Sequence, residues 1–219
     1  MNAAVIGTGF IGTVHIEAIR RMGIPVKGAL AGSSASTESA KNKLNLAHAY
    51  KDVAEIAADK DVTVVHVTSP NALHFDQVTT LLNAGKHVIC EKPLALTASE
   101  GESLLKLAES KNLVHALCFN TRFYPMVHEA RSLVNNGKIG SPTYVKGSYH
   151  QDWLLLDTDW NWRLEGEKAG ELRAIADIGS HLIDQISFVS GLEVESVLAD
   201  LHTIRSEEHT SELQSRIRI

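Results

Sequence analysis

The opening of the chain constrains the fold more than any other stretch. Residues 2–6 form a short apolar run, and the letters G-T-G-F-I-G follow directly at 7–12. A strand that opens into G-x-G-x-x-G, with helical periodicity behind it, is the dinucleotide-binding fingerprint. The first glycine makes the tight turn, the second admits the pyrophosphate, and the third allows close packing of helix on strand, with the helix N-terminus facing the phosphates. The cofactor-binding residues predicted here are Gly7, Gly9, Phe10, Ile11 and Gly12.

The composition excludes several other classes of protein. The 219 residues are 44% hydrophobic, which allows one large domain or one domain plus part of another. A net charge of −5 without a basic cluster argues against a nucleic-acid partner. No apolar run approaches the ~18 residues of a membrane helix, and the N-terminus is not a signal peptide, so we expect a cytoplasmic protein. Cys90 and Cys118 are expected to be buried, reduced thiols rather than a disulfide or a nucleophile.

The second predicted strand bears on the choice between NAD and NADP. It covers 26–31 and ends at Gly32-Ser33-Ser34, where no Asp or Glu stands to bind the ribose hydroxyls of NAD. Small hydroxyls in that place favour NADP slightly over NAD, although no Arg lies beside them. Ser33 and Ser34 are therefore candidate cofactor residues, and an ordinary turn is the alternative.

Strands and helices alternate over residues 2–90, which predicts an α/β fold with a doubly wound parallel sheet. Ligands of such sheets bind at the carboxyl ends of the strands. The further cofactor-binding candidates at that edge are Thr68, Ser69, Pro70, Asn71, His74, Glu91, Lys92 and Pro93. For Asn71, a role as a helix N-cap is an equally good explanation.

Periodicity predicts the remaining elements. Helices are expected at 10–22, 36–47, 52–58, 71–83, 97–110, 124–134 and 178–189. The helix at 97–110 carries a capping box of Thr97 and Glu100. Strands are expected at 61–68, 87–90, 113–119, 142–153 and 193–204, with an aromatic loop at 153–162. The short strand–helix rhythm stops near 120–125, which we take as a domain boundary.

Five motifs occur in a characteristic order: G-T-G-F-I-G at 7–12, T-S-P-N-x-L-H at 68–74, A-G-K-H-V-I-C-E-K-P at 84–93, N-x-R-F-Y-P at 120–125 and D-I-G-S-H-x-I-D at 177–184. In this the chain resembles the Gfo/Idh/MocA (glucose-fructose oxidoreductase / inositol dehydrogenase) family over residues 1 to about 204. The resemblance implies a Rossmann domain at 1–120 and a domain with a mostly antiparallel sheet from 121 onward. It implies hydride transfer between NAD or NADP and a sugar, polyol or cyclitol hydroxyl.

The same resemblance suggests roles for particular residues. Lys92 matches the family's catalytic lysine, and the Lys92–Pro93 bond is expected to be cis. His181 is the candidate acid/base, with Asp177 four residues before it as partner on one helix face. Arg122 and Tyr124 contact the substrate or join the domains, with equal weight. The loop Trp153–Arg163 stacks on a sugar ring or is a hydrophobic cluster. The substrate-binding candidates are Arg122, Tyr124, Trp162, Arg163 and Asp184.

Two absences are also predicted. His15, His48, His66 and His150 show no ligand spacing with Cys or carboxylates, so no metal is expected.

The second domain, taken as 121–204, is expected to be incomplete, because the family's sheet needs further strands. The resemblance also implies that the full-length protein forms homo-oligomers through that sheet. Residues 205–215 match an in-frame translation of a sequencing adapter, so the tail 205–219 is interpreted as non-native and the chain as C-terminally truncated. Such a chain should aggregate or be inactive.

A competing interpretation comes from another class: a nucleotide-binding sensor or scaffold that keeps the Rossmann domain without catalysis. The presence of Lys92, Asp177 and His181 together favours the enzyme.

Overall fold

The computed structural model describes residues 1–152, 154–156, 158–203 and 213–218. Trp153 and most of the predicted tail therefore lie outside the described residues. The chain divides into two compact units, Met1–Cys118 and Phe119–Ile219. The predicted domain limits at 120 and 204 stay predictions. No described helix combines the length and the apolar character that crossing a membrane requires.

The first unit is a six-stranded sheet in which every neighbouring pair is parallel, in the order β3-β2-β1-β4-β5-β6. Strands β1 to β3 are added toward one edge of the sheet and β4 to β6 toward the other, so the direction of strand addition reverses between β1 and β4. The doubly wound parallel sheet predicted from the alternation is thereby confirmed. The strands are β1 (Asn2–Ile6), β2 (Val26–Leu30), β3 (His48–Ala49), β4 (Val62–Val67), β5 (His87–Glu91) and β6 (His115–Cys118).

Helices cover both faces of this sheet, and consecutive residues of β1 serve the two sides. Ala3 and Val5 pack in one apolar cluster with Ile16 and Ile19. Ala4 and Ile6 pack in the other cluster, on the opposite face. A strand covered on both faces is expected to be mostly apolar, as β1 and β4 are, with Asn2, Thr63 and His66 as their polar residues. The helices are α1 (Phe10–Arg21), α2 (Ser34–Lys43), α3 (Val53–Ala58), α4 (His74–Asn83) and α5 (Ala98–Ser110).

Side-chain caps set where several of these helices begin. Thr97 and Glu100 form the predicted capping box at α5, which is thereby confirmed. The predicted bounds of α2 were wrong at both ends, because Ser33 caps a helix that begins at Ser34 and ends at Lys43. The two residues of β3, His48 and Ala49, lie between the predicted helices 36–47 and 52–58, where no strand was predicted, since so short a strand shows no alternation.

The second unit holds three α-helices and one antiparallel strand pair among its described residues. The helices are α6 (Pro125–Asn135), α7 (Gly166–Ala169) and α8 (Ser180–Ser190), and the strands are β7 (Leu198–Thr203) and β8 (Leu213–Arg218). In register, Leu198 pairs with Arg218 and Thr203 with Leu213. β8 lies within the segment interpreted as non-native, and this pair is the part of the predicted antiparallel sheet that the described residues contain.

The strand predicted at 142–153 was wrong, because residues 142–152 form neither strand nor helix. Their alternation satisfies the pattern of a strand, yet a strand needs a partner to pair its backbone groups. The strand predicted at 193–204 shortens to β7 for the same reason, since only residues 198–203 have a paired neighbour.

Candidate active site

The glycine turn is built by direct backbone contact. Gly7 has φ +89°, and a Cβ atom there would lie 2.4 Å from the carbonyl oxygen of Thr68. A Cβ atom at Gly12 would lie 2.0 Å from the carbonyl oxygen of Gly7. The Thr68 hydroxyl closes the contact by donating to the carbonyls of Ile6 and Gly7 at 2.9 and 2.8 Å. Steric contacts within the protein therefore explain why the first and third positions of the motif are glycine.

Gly9 is different, because no heavy atom lies within 4 Å of the position its Cβ would take. It precedes α1, where no side chain forms a cap hydrogen bond to the first N–H groups. A cavity of about 750 Å³ adjoins the turn at Thr8 and Gly9 and extends along α1 to Arg21 and Lys43. Open space at an uncapped helix N-terminus fits a phosphate group.

The segment after β4 is held by its own side chains. Ser69 donates to the side chain of Gln77 at 2.6 Å. Asn71, predicted as a possible N-cap, lies inside a 3-10 turn (Asn71–Leu73) for which Pro70 is the preceding residue, so the N-cap explanation was wrong. Asn71 is buried, and its contact with a cofactor stays a prediction.

His74 is fully buried and bridges two loops at the carboxyl edge of the sheet. Its Nδ1 lies 2.7 Å from the carbonyl oxygen of Pro93, and its Nε2 lies 2.9 Å from that of Ser69. Burial lowers the pKa of His74, and a neutral imidazole donates to only one of these carbonyls at a time. This arrangement gives His74 a bridging role between the loops that carry Ser69 and Lys92.

Ser33 and Ser34, the candidate ribose-binding residues, stand at the start of α2. The Ser33 hydroxyl accepts a hydrogen bond from the Ser36 backbone N–H at 3.2 Å. The backbone N–H of Ser33 donates to Ser36 Oγ at 3.0 Å. The alternative to cofactor binding is therefore a helix cap rather than an ordinary turn.

Lys92 follows the last residue of β5 and forms a cis peptide bond with Pro93, as predicted. Its backbone N–H donates to Glu91 Oε2 at 3.2 Å. The other oxygen of that carboxylate, Oε1, lies 3.2 Å from Nε2 of His15 on α1. His15 Nδ1 in turn lies 2.8 Å from Nδ1 of His66 on β4, whose pKa falls to about 4 because burial and the charge of His15 disfavour its protonation.

Sequence reasoning missed this cluster entirely. His15, His66, Glu91 and Cys118 come from four different elements, and short spacing carries no signal for such a group. Donor atoms of His15, Glu91 and Cys118 all lie within 4.8 Å of one another, which is compatible with a metal ion. The only available signal was topological, since these residues lie on α1 and at or near the carboxyl ends of β4, β5 and β6.

The two cysteines form no disulfide, as predicted, and Cys90 is buried, but Cys118 is only half-buried, so the predicted burial of Cys118 was wrong. Burial raises the pKa of Cys118 to about 12 and raises that of Cys90 as well, so both remain thiols at neutral pH.

In the second unit, His181 is buried near the start of α8. Its Nδ1 lies 3.3 Å from the hydroxyl of Thr121, and the rings of Phe119 and Tyr149 meet it edge-on at 5.6 and 6.3 Å. The single helix predicted at 178–189 was wrong at its start, because residues 175–179 form a π-helical turn before α8 takes over at Ser180. Asp177 and His181 therefore belong to different helical segments.

Two candidate substrate residues of this unit pair with each other, and a third pairs with the candidate catalytic residue Asp177. Arg122 Nε donates to Asp184 Oδ2 at 2.7 Å, and Asp184 is buried. Arg163 Nε donates to Asp177 Oδ1 at 3.1 Å, while its guanidinium lies 4.6 Å from the ring centre of Trp162. The ring of Tyr124, just before α6, is largely exposed. For Arg122, the ion pair favours a structural role over direct substrate contact.

Two family models match the chain. Residues 1–119 match the model described as "Oxidoreductase family, NAD-binding Rossmann fold", and residues 127–217 match the GFO/IDH/MocA C-terminal domain. The chain belongs to the Gfo/Idh/MocA oxidoreductase family. The second match runs across most of the predicted non-native tail, which stays a prediction.

Known members of the Gfo/Idh/MocA family resemble the chain throughout most of its length. Levoglucosan dehydrogenase of Pseudarthrobacter phenanthrenivorans is 33% identical over 213 residues, covering 93% of this chain and 54% of the relative. The NADP(+)-dependent scyllo-inositol 2-dehydrogenase of Bacillus subtilis is 30% identical over 174 residues, covering 80% and 47%. The chain thus spans about half the length of these curated relatives.

A solved structure extends the likeness to three dimensions. Levoglucosan dehydrogenase in complex with NADH and levoglucosan superimposes with a TM-score of 0.87 at 32% identity, covering 93% of this chain and 57% of that one.

Proposed function

We propose that the protein is an NAD(P)-dependent oxidoreductase that interconverts a secondary hydroxyl and a carbonyl of a sugar, polyol or cyclitol. The observation that carries the proposal is the open space at Gly9, before an uncapped helix, in a chain of the Gfo/Idh/MocA family. A bound nicotinamide supplies the hydride acceptor or donor. The cofactor rests on the backbone of the glycine turn, with its phosphates at the N-terminus of α1.

The proposed catalytic residues handle the hydroxyl proton. The Lys92 ammonium binds the reacting oxygen and lowers the pKa of the substrate hydroxyl. His181 takes or returns the proton, since imidazole titrates near neutrality. Asp177 orients His181 and favours its charged form. The family resemblance suggests each of these roles. Among the described contacts, Asp177 accepts a hydrogen bond from Arg163, and His181 Nδ1 lies beside the Thr121 hydroxyl.

Among the residues proposed to bind substrate, the geometry separates two kinds. Arg122 and Asp184 hold each other through the hydrogen bond from Arg122 Nε to Asp184 Oδ2. Trp162 and Arg163 stack together and offer a flat face to a sugar ring. Tyr124, with its ring largely exposed, is free to contact a ligand. That division makes Trp162 and Tyr124 the better candidates for direct contact with substrate.

NADP is the proposed preference, because Ser33 and Ser34 leave no carboxylate to repel a 2′-phosphate. The NADP(+) named for the Bacillus subtilis relative is compatible with this, whereas the levoglucosan dehydrogenase complex contains NADH. We also propose that the whole protein acts in the cytoplasm as a homo-oligomer. Separate titrations with NADH and NADPH, followed by nicotinamide fluorescence, would decide the preference.

The experiment for the activity uses the full-length protein and a panel of sugars and inositols, with nicotinamide absorbance as readout. Lys92→Ala or His181→Ala should lower turnover by about a hundredfold to ten-thousandfold, while NAD(P)H still binds. The control is Lys111→Ala, an exposed lysine at the end of α5. Cofactor binding without turnover on any substrate would instead support the sensor or scaffold. Unchanged turnover in both active-site variants would refute the roles assigned here.

A further inference from the structure

The cluster beneath the Lys92 turn consists of His66, His15 and Glu91, joined in that order by hydrogen bonds. His15 stands three residues after Gly12, on the helix whose N-terminus faces the glycine turn. Glu91 ends β5 and directly precedes Lys92. The side chains of His15 and Glu91 are only 12% and 16% exposed, so solvent competes little for their contact. Both residues, and Lys92 with them, belong to the first unit.

The Glu91 carboxylate makes two different contacts with its two oxygens. Oε1 faces Nε2 of His15 at 3.2 Å, and Oε2 accepts the backbone N–H of Lys92 at 3.2 Å. One carboxylate therefore connects α1 to the backbone of Lys92. Charge-assisted hydrogen bonds of this kind are stronger than neutral ones, and partial burial strengthens them further.

His66 fixes which nitrogen of His15 carries a proton. Burial keeps His66 neutral, with a pKa of about 4. In the tautomer that suits both contacts of His15, the His66 Nδ1–H donates to His15 Nδ1 and the His15 Nε2–H donates to Glu91, because a lone pair at Nε2 would face a negative charge. The Cys118 thiol, also near Glu91, stays protonated.

We infer that His15 and Glu91 are a positioning pair that fixes Lys92 relative to the cofactor-binding helix. The inference rests on the proposed function, since it gives the pair a purpose in that reaction. His15 Nε2 and both oxygens of Glu91 take part in these hydrogen bonds. Neither side chain touches the reacting atoms in this role. Both act through the Lys92 backbone.

The test compares four variants of the full-length protein with a matched control. Glu91→Ala and His15→Ala should each lower kcat by about tenfold to a hundredfold, with a much smaller change in KM for the cofactor. The double variant should be no slower than Glu91→Ala, because both changes break one connection. His15→Gln keeps an N–H donor near Nε2 and should recover most of kcat. The control, Tyr50→Phe, removes a 2.7 Å hydrogen bond to Asp59 elsewhere in the same unit and should leave kcat unchanged.

Several outcomes would overturn the inference. A His15→Ala variant as fast as Tyr50→Phe would do so, as would a double variant whose loss is the product of the single losses. Zinc retained at one ion per chain and lost in Cys118→Ser would show that the cluster is a metal site instead.

A failure of the proposed function looks different, because the unmodified protein itself would not turn over. Backbone amide hydrogen exchange then tests the positioning pair directly. It is measured by mass spectrometry on the peptide segment that contains Lys92. Exchange there should be faster in Glu91→Ala and His15→Ala than in Tyr50→Phe. An unchanged rate in His15→Ala would overturn the positioning role even without a substrate.

Discussion

At the scale of single residues, the three glycines of one motif have three different physical situations. Gly7 has a positive φ and touches the backbone of Thr68, and Gly12 touches the backbone of Gly7. Gly9 touches nothing, so the structure alone gives no reason for its missing side chain. The proposed cofactor would supply that reason, because a Cβ atom at Gly9 would stand where the pyrophosphate is proposed to approach.

Substitution of these glycines should separate folding from binding. Gly9→Ala should leave the free energy of unfolding within about 0.5 kcal/mol and lower NAD(P)H affinity by at least about tenfold, which is about 1.4 kcal/mol. Gly12→Ala should cost about 1–3 kcal/mol of stability, because backbone must move. Denaturant unfolding and nicotinamide fluorescence measure the two effects. The control is Gly166→Ala, at a glycine of the second unit that also meets open space. Full affinity in Gly9→Ala would contradict the proposed cofactor position.

His66 makes a prediction about acid pH. Its pKa lies at about 4 in the folded protein and near 6.5 when unfolded, so between these values only the unfolded chain binds the proton. Stability is thus fully present above pH 6.5 and falls as the pH drops toward 4, by on the order of 3 kcal/mol. His74, whose pKa is also lowered by burial, acts in the same direction.

The measurement is the free energy of unfolding as a function of pH. His66→Asn should be less stable than the unmodified protein at pH 7 and should show a shallower loss between pH 6.5 and 4. His115→Asn serves as control, because that side chain is exposed. Equal slopes in the unmodified protein and His66→Asn would rule out a neutral His66.

At the scale of elements, side-chain caps mark the starts of α2, α3 and α5. The start of α5 was predicted because Thr97 and Glu100 form a recognisable box three residues apart. The start of α2 was missed because its box uses Ser33 and Ser36, and serine three residues after the cap is a weaker signal than glutamate. The strand predicted at 142–153 failed for a different reason, since pairing depends on distant residues.

Removal of the α5 cap should have a measurable cost. Thr97→Ala leaves the Glu100 N–H without its acceptor and should lower the free energy of unfolding by about 1 kcal/mol. Thr97→Ser keeps the hydroxyl and should recover most of that loss. Ser103→Ala, in the middle of the same helix, should stay within about 0.5 kcal/mol. Chemical denaturation checks all three variants, and an equal cost for Thr97→Ala and Ser103→Ala would contradict the capping role.

At the scale of the whole molecule, the second unit exposes much apolar surface. Its largest exposed side chains include Phe123, Met126, Ile139, Tyr144 and Trp160. Residues of this kind are normal when single and promote association when numerous. This exposed apolar surface is a physical reason for the aggregation expected from the sequence.

The 219-residue chain should therefore self-associate as its concentration rises. Sedimentation velocity over a hundredfold range of concentration, as an order of magnitude, should show growing species as apolar patches meet. Phe123→Ser combined with Met126→Ser should shift the distribution toward the monomer, and Ser110→Thr, on the first unit, serves as control. A single monomeric species at every concentration would contradict the prediction.

The sequence alone determined the parallel sheet, the glycine turn and the membership of the first unit in a dinucleotide-binding class. These features follow from local signals: apolar runs, glycine spacing and the alternation of strand with helix. It also determined the burial of Cys90, which lies within a buried strand, but not that of Cys118, which ends the half-exposed strand β6. The glycine spacing and the apolar runs span only a few residues each, so they predict local structure without information about distant parts of the chain.

Only the tertiary structure decided how side chains from distant elements meet. His15 and Glu91 stand 76 residues apart, and Arg122 and Asp184 stand 62 apart. Which of them meet depends on strand order and register, and no local pattern encodes these. The same holds for the contact of Gly7 with Thr68, which requires β1 and β4 to be neighbours. The residue types were therefore visible in the sequence, while their partners were set by the packing of the sheet.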